Sequence, residues 1–222
     1  LSLAKAKRDE TTNIFTDIFA ENIKKINGDK GLEENDIKRL LEDISLTLDN
    51  EDLGEAYYRM LTTGSGIRLI DFNNFPNNSF HVVTELTCKN GDDEFRPDIT
   101  LLINGMPLAF IEVKKPNNHE GILAERDRIN IRFKNKKFKK FINISQILVF
   151  SNNMEYDTES IEPIQGAFYS STSYNEANFN CFREEESLNL PALLKEENDE
   201  LENFVLKDNN LSSIKYSPEF IT

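Results

Sequence analysis

The stretch that most constrains this chain is two short apolar runs separated by a tight turn. Ile99 to Ile103 and Leu108 to Val113 are the strongest strand candidates, and Asn104-Gly105 lies between them. Asn-Gly between alternating apolar runs is a strong short-range hairpin signal. A charge stands near the open end of each run. Arg96-Pro97-Asp98 leads into the first strand, and Glu112-Val113-Lys114 closes the second. Side chains alternate along a strand, so Glu112 and Lys114 share one face. Isolated charges in apolar surroundings are costly, so an acid and a base ending a buried strand need a compensating role.

The turn decides whether Asp98 joins them. A two-residue loop pairs Ile103 with Met106, and Asp98 then faces Ile111, on the face opposite Glu112. A three-residue loop with Gly105 in the left-handed conformation pairs Leu102 with Met106. Asp98 then lies opposite Phe110, on the face of Glu112 and diagonal to it, roughly 7–8 Å away at Cα. The three-residue loop, or an equivalent bulge nearby, is therefore expected.

The chemistry that fits such a trio is metal-assisted phosphodiester hydrolysis. Mg²⁺ takes hard oxygen ligands and often only one or two protein carboxylates. Asp98 and Glu112 supply those oxygens, and Val113 adds a backbone carbonyl. Lys114 orients or helps deprotonate the attacking water and offsets developing charge on the phosphorus. Alternating Glu-x-Lys charges are also common on exposed strands. The preceding Pro-Asp at the mouth of the hairpin lifts this triplet above that bland reading.

Around the hairpin the pattern is mixed. Helices are predicted over 9–27, 33–48 and 53–61, from apolar residues at helical spacing with Gly28 as one stop. Strands are predicted over 67–71, 80–87, 147–150 and 166–170, with a polar turn over 89–93. A helix is predicted over 121–140 and an acidic one over 184–206. Helices, then a strand meander, then helix and strand make an α/β (α+β) core with a central mixed sheet flanked by helices. The expected organisation is a helical segment over 1–64, a core over 65–183 and an acidic extension over 184–222.

Net charge of −13 argues against a whole-surface grip on nucleic acid. The charge is polarised, however. Glu120 to Lys140 carries eight basic residues against three acidic ones, and Glu184 to Glu202 carries eight acidic residues against one Lys. Arg128, Arg132, Lys115, Lys136 and Lys137 are the DNA-contact candidates. Lys134, Lys139 and Lys140 belong to the same basic run, which also reads as a solvated helix end. Glu55 and Asp71 are weighed as additional acids, while His81 and His119 have no partner suggesting acid–base work. Cys88 and Cys181 form no zinc-like spacing, and their use fits a reduced cytoplasmic setting. No apolar run is long enough to span a bilayer. A chain beginning at Leu1 reads as trimmed or processed.

Residues 96–116, Arg-Pro-Asp-Ile-Thr-Leu-Leu-Ile-Asn-Gly-Met-Pro-Leu-Ala-Phe-Ile-Glu-Val-Lys-Lys-Pro, resemble the nuclease motif of the restriction subunit of type I restriction–modification enzymes. Leu69 to Phe72, Asn77 to Phe80 and Val149 to Asn153 resemble the same family. The resemblance implies a PD-(D/E)xK nuclease fold with Asp98, Glu112 and Lys114 catalytic and Mg²⁺ as cofactor. It also implies duplex DNA as substrate, methylase and specificity subunits as partners, and an ATP-driven motor elsewhere in a longer protein. No Gly-rich phosphate loop with Lys-Ser/Thr occurs in these residues, so ATP belongs to that longer protein alone. Many relatives carry Gln-x-x-x-Tyr on the helix after the active-site strand. Here that helix reads Glu-Arg-Asp-Arg-Ile-Asn-Ile-Arg-Phe over 125–133, and Gln165 and Tyr169 have the spacing only in a strand-like segment. A repair or recombination nuclease of the same fold, or a silent docking domain, is the alternative.

Overall fold

The computed structural model describes residues 6–63, 66–116, 121–152, 154, 166–172, 176–177 and 180–181. The predicted helix over 184–206, His119 and Gln165 lie outside the described residues.

The chain opens with α1 (Thr16–Ile26), α2 (Glu34–Thr47) and α3 (Glu55–Thr62). Phe19, Ile23 and Ile26 form the buried stripe of α1, and Ile37, Leu40 and Ile44 that of α2. α2 begins with a reciprocal cap between Glu33 and Asp36, which satisfies otherwise free backbone donors. The first helix starts later than its apolar pattern suggests. Asp9 Oδ1 accepts from the Thr11 and Thr12 amides, and Asn13 has φ 62°, so 9–13 form a turn instead.

The main sheet runs in the order β1 (Phe80–Thr84), β4 (Ile99–Ile103), β5 (Met106–Val113), β6 (Ile147–Ser151), β7 (Ala167–Ser170), β8 (Asn180–Cys181). β5 and β6 pair in parallel and the other neighbours are antiparallel. The parallel pair requires a crossover, supplied by α4 (Gly121–Lys134), a 3₁₀ turn (Lys136–Phe138) and α5 (Lys139–Ile144). A single helix was expected here. Asn135 interrupts it with extended backbone and accepts the Lys137 amide on its side chain, restarting the chain as a new turn.

One face of the sheet carries Leu102, Phe110, Leu148, Phe150 and Phe168, packed with Ile122, Ile129, Phe138 and Phe141 from the crossover. The helices α1 to α3 form a second apolar cluster that takes in Met106, Leu108 and Ile144. The core is therefore mixed α/β, with helices flanking a mixed sheet.

One local expectation fails and another is narrowed. Residues 67–71 form no strand, because side-chain amides take the partners a neighbouring strand would have supplied. The Arg68 amide donates to Asn27, the Leu69 carbonyl accepts from Asn104, and the Asp71 amide donates to Asn78. The polar turn predicted over 89–93 is present but tighter, at 91–92, where it closes a small ribbon, β2 (Cys88–Asn90) with β3 (Asp93–Phe95). Its buried ends, Cys88 and Phe95, anchor strands too short and polar to show in the pattern.

Candidate active site

The β4–β5 hairpin closes on a two-residue loop. Ile103 pairs with Met106, and both Asn104 and Gly105 have positive φ, 50° and 81°. The expected three-residue loop is thus incorrect, and the alternative bulge is present. Leu102 pairs with Pro107 and Leu101 with Ala109, so β5 holds one extra residue beside the turn. The shift runs on to Ile99 opposite Ile111. Carried one residue further, this register sets Asp98 directly across from Glu112 and on its face, closer than the diagonal arrangement expected.

Asp98 is pinned from two sides. Its carbonyl accepts the Glu85 amide at 2.9 Å, and its Oδ2 accepts the Val113 amide at 2.8 Å. Glu112 is only 6% exposed. Burial, then the carboxylates of Asp98 and Glu125, push its carboxyl up to about 7, against the pull of Lys114 and Arg132. Lys114 Nζ stands 3.9 Å from Glu112 Oε2 but 3.1 Å from Glu125 Oε1. The Lys114 amide donates to the Ser151 carbonyl at 2.7 Å, which ties the end of β5 to β6.

Glu125 is the residue that sequence reasoning missed. It comes from α4, is 3% exposed, and also binds Arg128. The available signal was its place between Ile122 and Ile129 on the buried stripe of the helix, where an acid is unexpected. It stands on the helix where Gln-x-x-x-Tyr was sought. Arg132, one turn beyond Arg128, lies with its guanidinium carbon 4.4 Å from the centre of the Phe95 ring. Burial lowers its pKa, opposed by the nearby charges of Glu112 and Glu125. Arg128 is thus a largely exposed arginine paired with Glu125, and Arg132 a partly buried one beside Glu112 and Glu125.

The Val113 amide donates to Asp98 Oδ2 beside the site and its side chain is exposed, while its backbone carbonyl, the group the sequence offers as a ligand, belongs to the last residue of β5. The remaining candidates stand elsewhere. Lys115 and Lys136 are exposed. Lys137 pairs with Asp93 at 3.0 Å, Lys139 with Glu51 at 2.8 Å, and Lys140 with Asp49 at 3.2 Å, so much of the basic run is neutralised by its neighbours. Glu55 pairs with Arg59 on α3 and lines an apolar groove of about 770 Å³ with Val82, Leu101, Ala109 and Ile147, on the sheet face away from Glu112. His81 borders the same groove. Tyr169 pairs with Val149 on that far face too. Asp71 caps a turn by accepting from Asn74 and Asn77, and those bonds hold its pKa down. Cys88 is a buried thiol, its pKa pushed up to about 12 by desolvation.

Three carboxylates, Asp98, Glu112 and Glu125, are gathered with three cations, Lys114, Arg128 and Arg132, and Asp98 and Glu112 face each other across one strand pair. The Asp98 and Glu112 carboxylates are hard oxygen donors of the kind a divalent cation takes. Among the described residues no three His, Cys, Asp or Glu side chains close into a ligand set.

The sequence profile of the family described as type I restriction enzyme R protein N terminus matches residues 2–160. This chain belongs to that family. Three relatives from Methanocaldococcus jannaschii are named as type I restriction enzyme endonuclease subunits. MjaIXP is 31% identical over 129 residues, covering 49% of this chain and 12% of the relative. MjaVIIIP is 32% identical over 114 residues, covering 51% and 10%. MjaVIIP is 44% identical over 59 residues, covering 25% and 6%. The chain thus spans about a tenth of the length of the first two. No helix among the described residues is long and apolar enough to cross a membrane.

Proposed function

We propose that this chain is the Mg²⁺-dependent module of a type I restriction enzyme, with a PD-(D/E)xK fold, that hydrolyses phosphodiester bonds of unmodified duplex DNA. The reading rests on the bulge that sets Asp98 opposite Glu112 beside Lys114. Asp98 and Glu112, with the Val113 backbone carbonyl, would hold the ion. When bound, the ion polarises the phosphate and lowers the pKa of a coordinated water. Asp98 keeps its orientation through the Val113 amide, and β5 keeps Glu112 out of bulk water. Lys114 faces the reacting phosphate, where its charge offsets the negative charge gathering on the phosphoryl oxygens. The water oxygen bonds to phosphorus and gives up a proton to solvent, the bridging P–O bond breaks, and the departing oxygen takes up a proton from solvent.

The rest of the protein supplies what this chain does not carry. An ATP-driven motor, with methylase and specificity subunits, brings cytoplasmic DNA to the site and provides most of the grip. That arrangement accommodates the net charge of −13. Lys115 and Lys136 are the leading phosphate contacts here, while Lys137 must first leave Asp93. We divide the chain into a helical segment over 1–64, a nuclease core over 65–183 and an extension over 184–222.

The test is cleavage by the assembled full-length complex. Asp98→Ala, Glu112→Ala and Lys114→Ala are each expected to reduce cleavage at least 100-fold, by roughly 3 kcal/mol of barrier, while ATP-driven translocation continues. Cleavage retained in all three variants would defeat the assignment.

A further inference from the structure

We propose that Glu125 is a positioning residue of this nuclease site, holding the Lys114 ammonium off Glu112 so that the Glu112 carboxylate stays free for the metal ion. The inference rests on the metal-site reading given under Proposed function.

Distance separates the two carboxylates around Lys114. Lys114 Nζ forms a close ion pair with Glu125 Oε1 at 3.1 Å and a looser one with Glu112 Oε2 at 3.9 Å. Glu125 is itself fixed. It lies on the buried stripe of α4 between Ile122 and Ile129, and Arg128 binds the same oxygen from one turn on. The carboxylate therefore stays in place with two cations on one oxygen. Without its charge, Glu112 becomes the nearest anion to Lys114 among the described residues. A lysine bonded to Glu112 occupies the oxygens a divalent cation needs. Groups behind a metal's ligands commonly control its affinity in this way.

A purely structural ion pair makes a different prediction. Loss of Glu125 would then lower stability without changing how Lys114 and the metal compete. A double-mutant cycle separates the two. The measurement is Mn²⁺ titration of the full-length subunit by electron paramagnetic resonance, without nucleotide, scoring only the binding that Glu112→Ala removes. Glu125→Gln is expected to weaken that binding about tenfold. In a Lys114→Met background the same substitution is expected to change it less than about threefold, because no ammonium remains to compete. In the assembled complex Glu125→Gln is expected to lower cleavage about tenfold or more while ATP hydrolysis stays within about twofold. Should Glu125→Gln fail to assemble, Glu125→Asp carries the test, with an intermediate loss of affinity again erased by Lys114→Met.

An unchanged Mn²⁺ affinity overturns the proposal. So does an equal loss in both backgrounds, which would mean that Glu125 acts on the metal by its own charge. If Glu112→Ala removes no Mn²⁺ binding at all, the metal-site reading itself has failed, and the two failures are told apart.

Discussion

The two ends of the β4–β5 hairpin handle buried polar groups in opposite ways. At the turn, Asn104 is fully buried and completely bonded. Its Nδ2 donates to the Leu69 carbonyl at 2.9 Å and to Asn78 Oδ1 at 2.8 Å, and its Oδ1 accepts the Ser79 amide at 2.8 Å. The Gly105 carbonyl accepts the Phe15 amide at 2.9 Å, which seats the start of α1 on the turn. At the other end Glu112 is nearly as buried, yet it has Asp98 and Glu125 as like-charged neighbours and Lys114 no nearer than 3.9 Å. One end is stable in itself. The other is kept in an unfavourable arrangement by the rest of the fold, as active sites often are. The bulge between Leu101 and Leu102 connects them, because it lets an ordinary two-residue turn put both carboxylates on one face.

The largest expected effect breaks the stable end. In Gly105→Ala a Cβ would meet the Phe15 carbonyl oxygen at 2.7 Å and the Phe19 nitrogen at 2.9 Å, at a φ of 81° that L residues rarely adopt. Both neighbours are backbone and cannot rotate away. The expected loss is on the order of 3–5 kcal/mol, or roughly 10 °C in melting temperature. A loss under about 1 kcal/mol would show that α1 does not sit against the turn this closely. Asn104→Ala follows at roughly 2–4 kcal/mol, because it strands the Ser79 amide and the Leu69 carbonyl. Chemical denaturation with an unchanged slope would confirm that the folded state is what suffers.

The same contrast explains what was legible in the sequence. Glu112 and Lys114 could be read as a same-face pair because strand alternation is local. Asp98 could not be placed without the register, and the register hangs on one extra residue that the Pro-Leu-Ala-Phe run does not advertise. Alternation alone requires the odd register but leaves it in the loop or in a bulge nearby, since Asn-Gly serves both turn lengths, and the bulge nearby is the one that forms. Residues 67–71 were mistaken for a strand because Asn27, Asn78 and Asn104, distant in sequence, satisfy their backbone. Glu125 was overlooked because its role depends on how α4 crosses the sheet. Tertiary contacts decide each of these, and no local pattern carries them.

The last prediction sharpens the comparison by reversing a sign. Glu112→Gln keeps the shape of the side chain and removes its charge, so it is expected to stabilise the metal-free protein while abolishing cleavage. The folded Glu112 carboxyl titrates near 7, against about 4.3 when unfolded. Below about pH 4 both states hold the proton, and this charge costs the fold nothing. Between about pH 4 and 7 the unfolded chain sheds its proton first, so the folded state loses stability as pH rises. Above 7 the penalty is complete, on the order of 1–3 kcal/mol given the neighbouring charges. The gain from Glu112→Gln should therefore be small at pH 5 and largest at pH 8, measured as melting temperature with chelator present. Added Mg²⁺ should raise the wild-type value at pH 8 and leave the variant nearly unmoved, because a cation binds where the proton was. A gain that is flat with pH, or greater at pH 5, would mean that Glu112 is as well satisfied as Asn104 and that the two ends of the hairpin do not differ in kind.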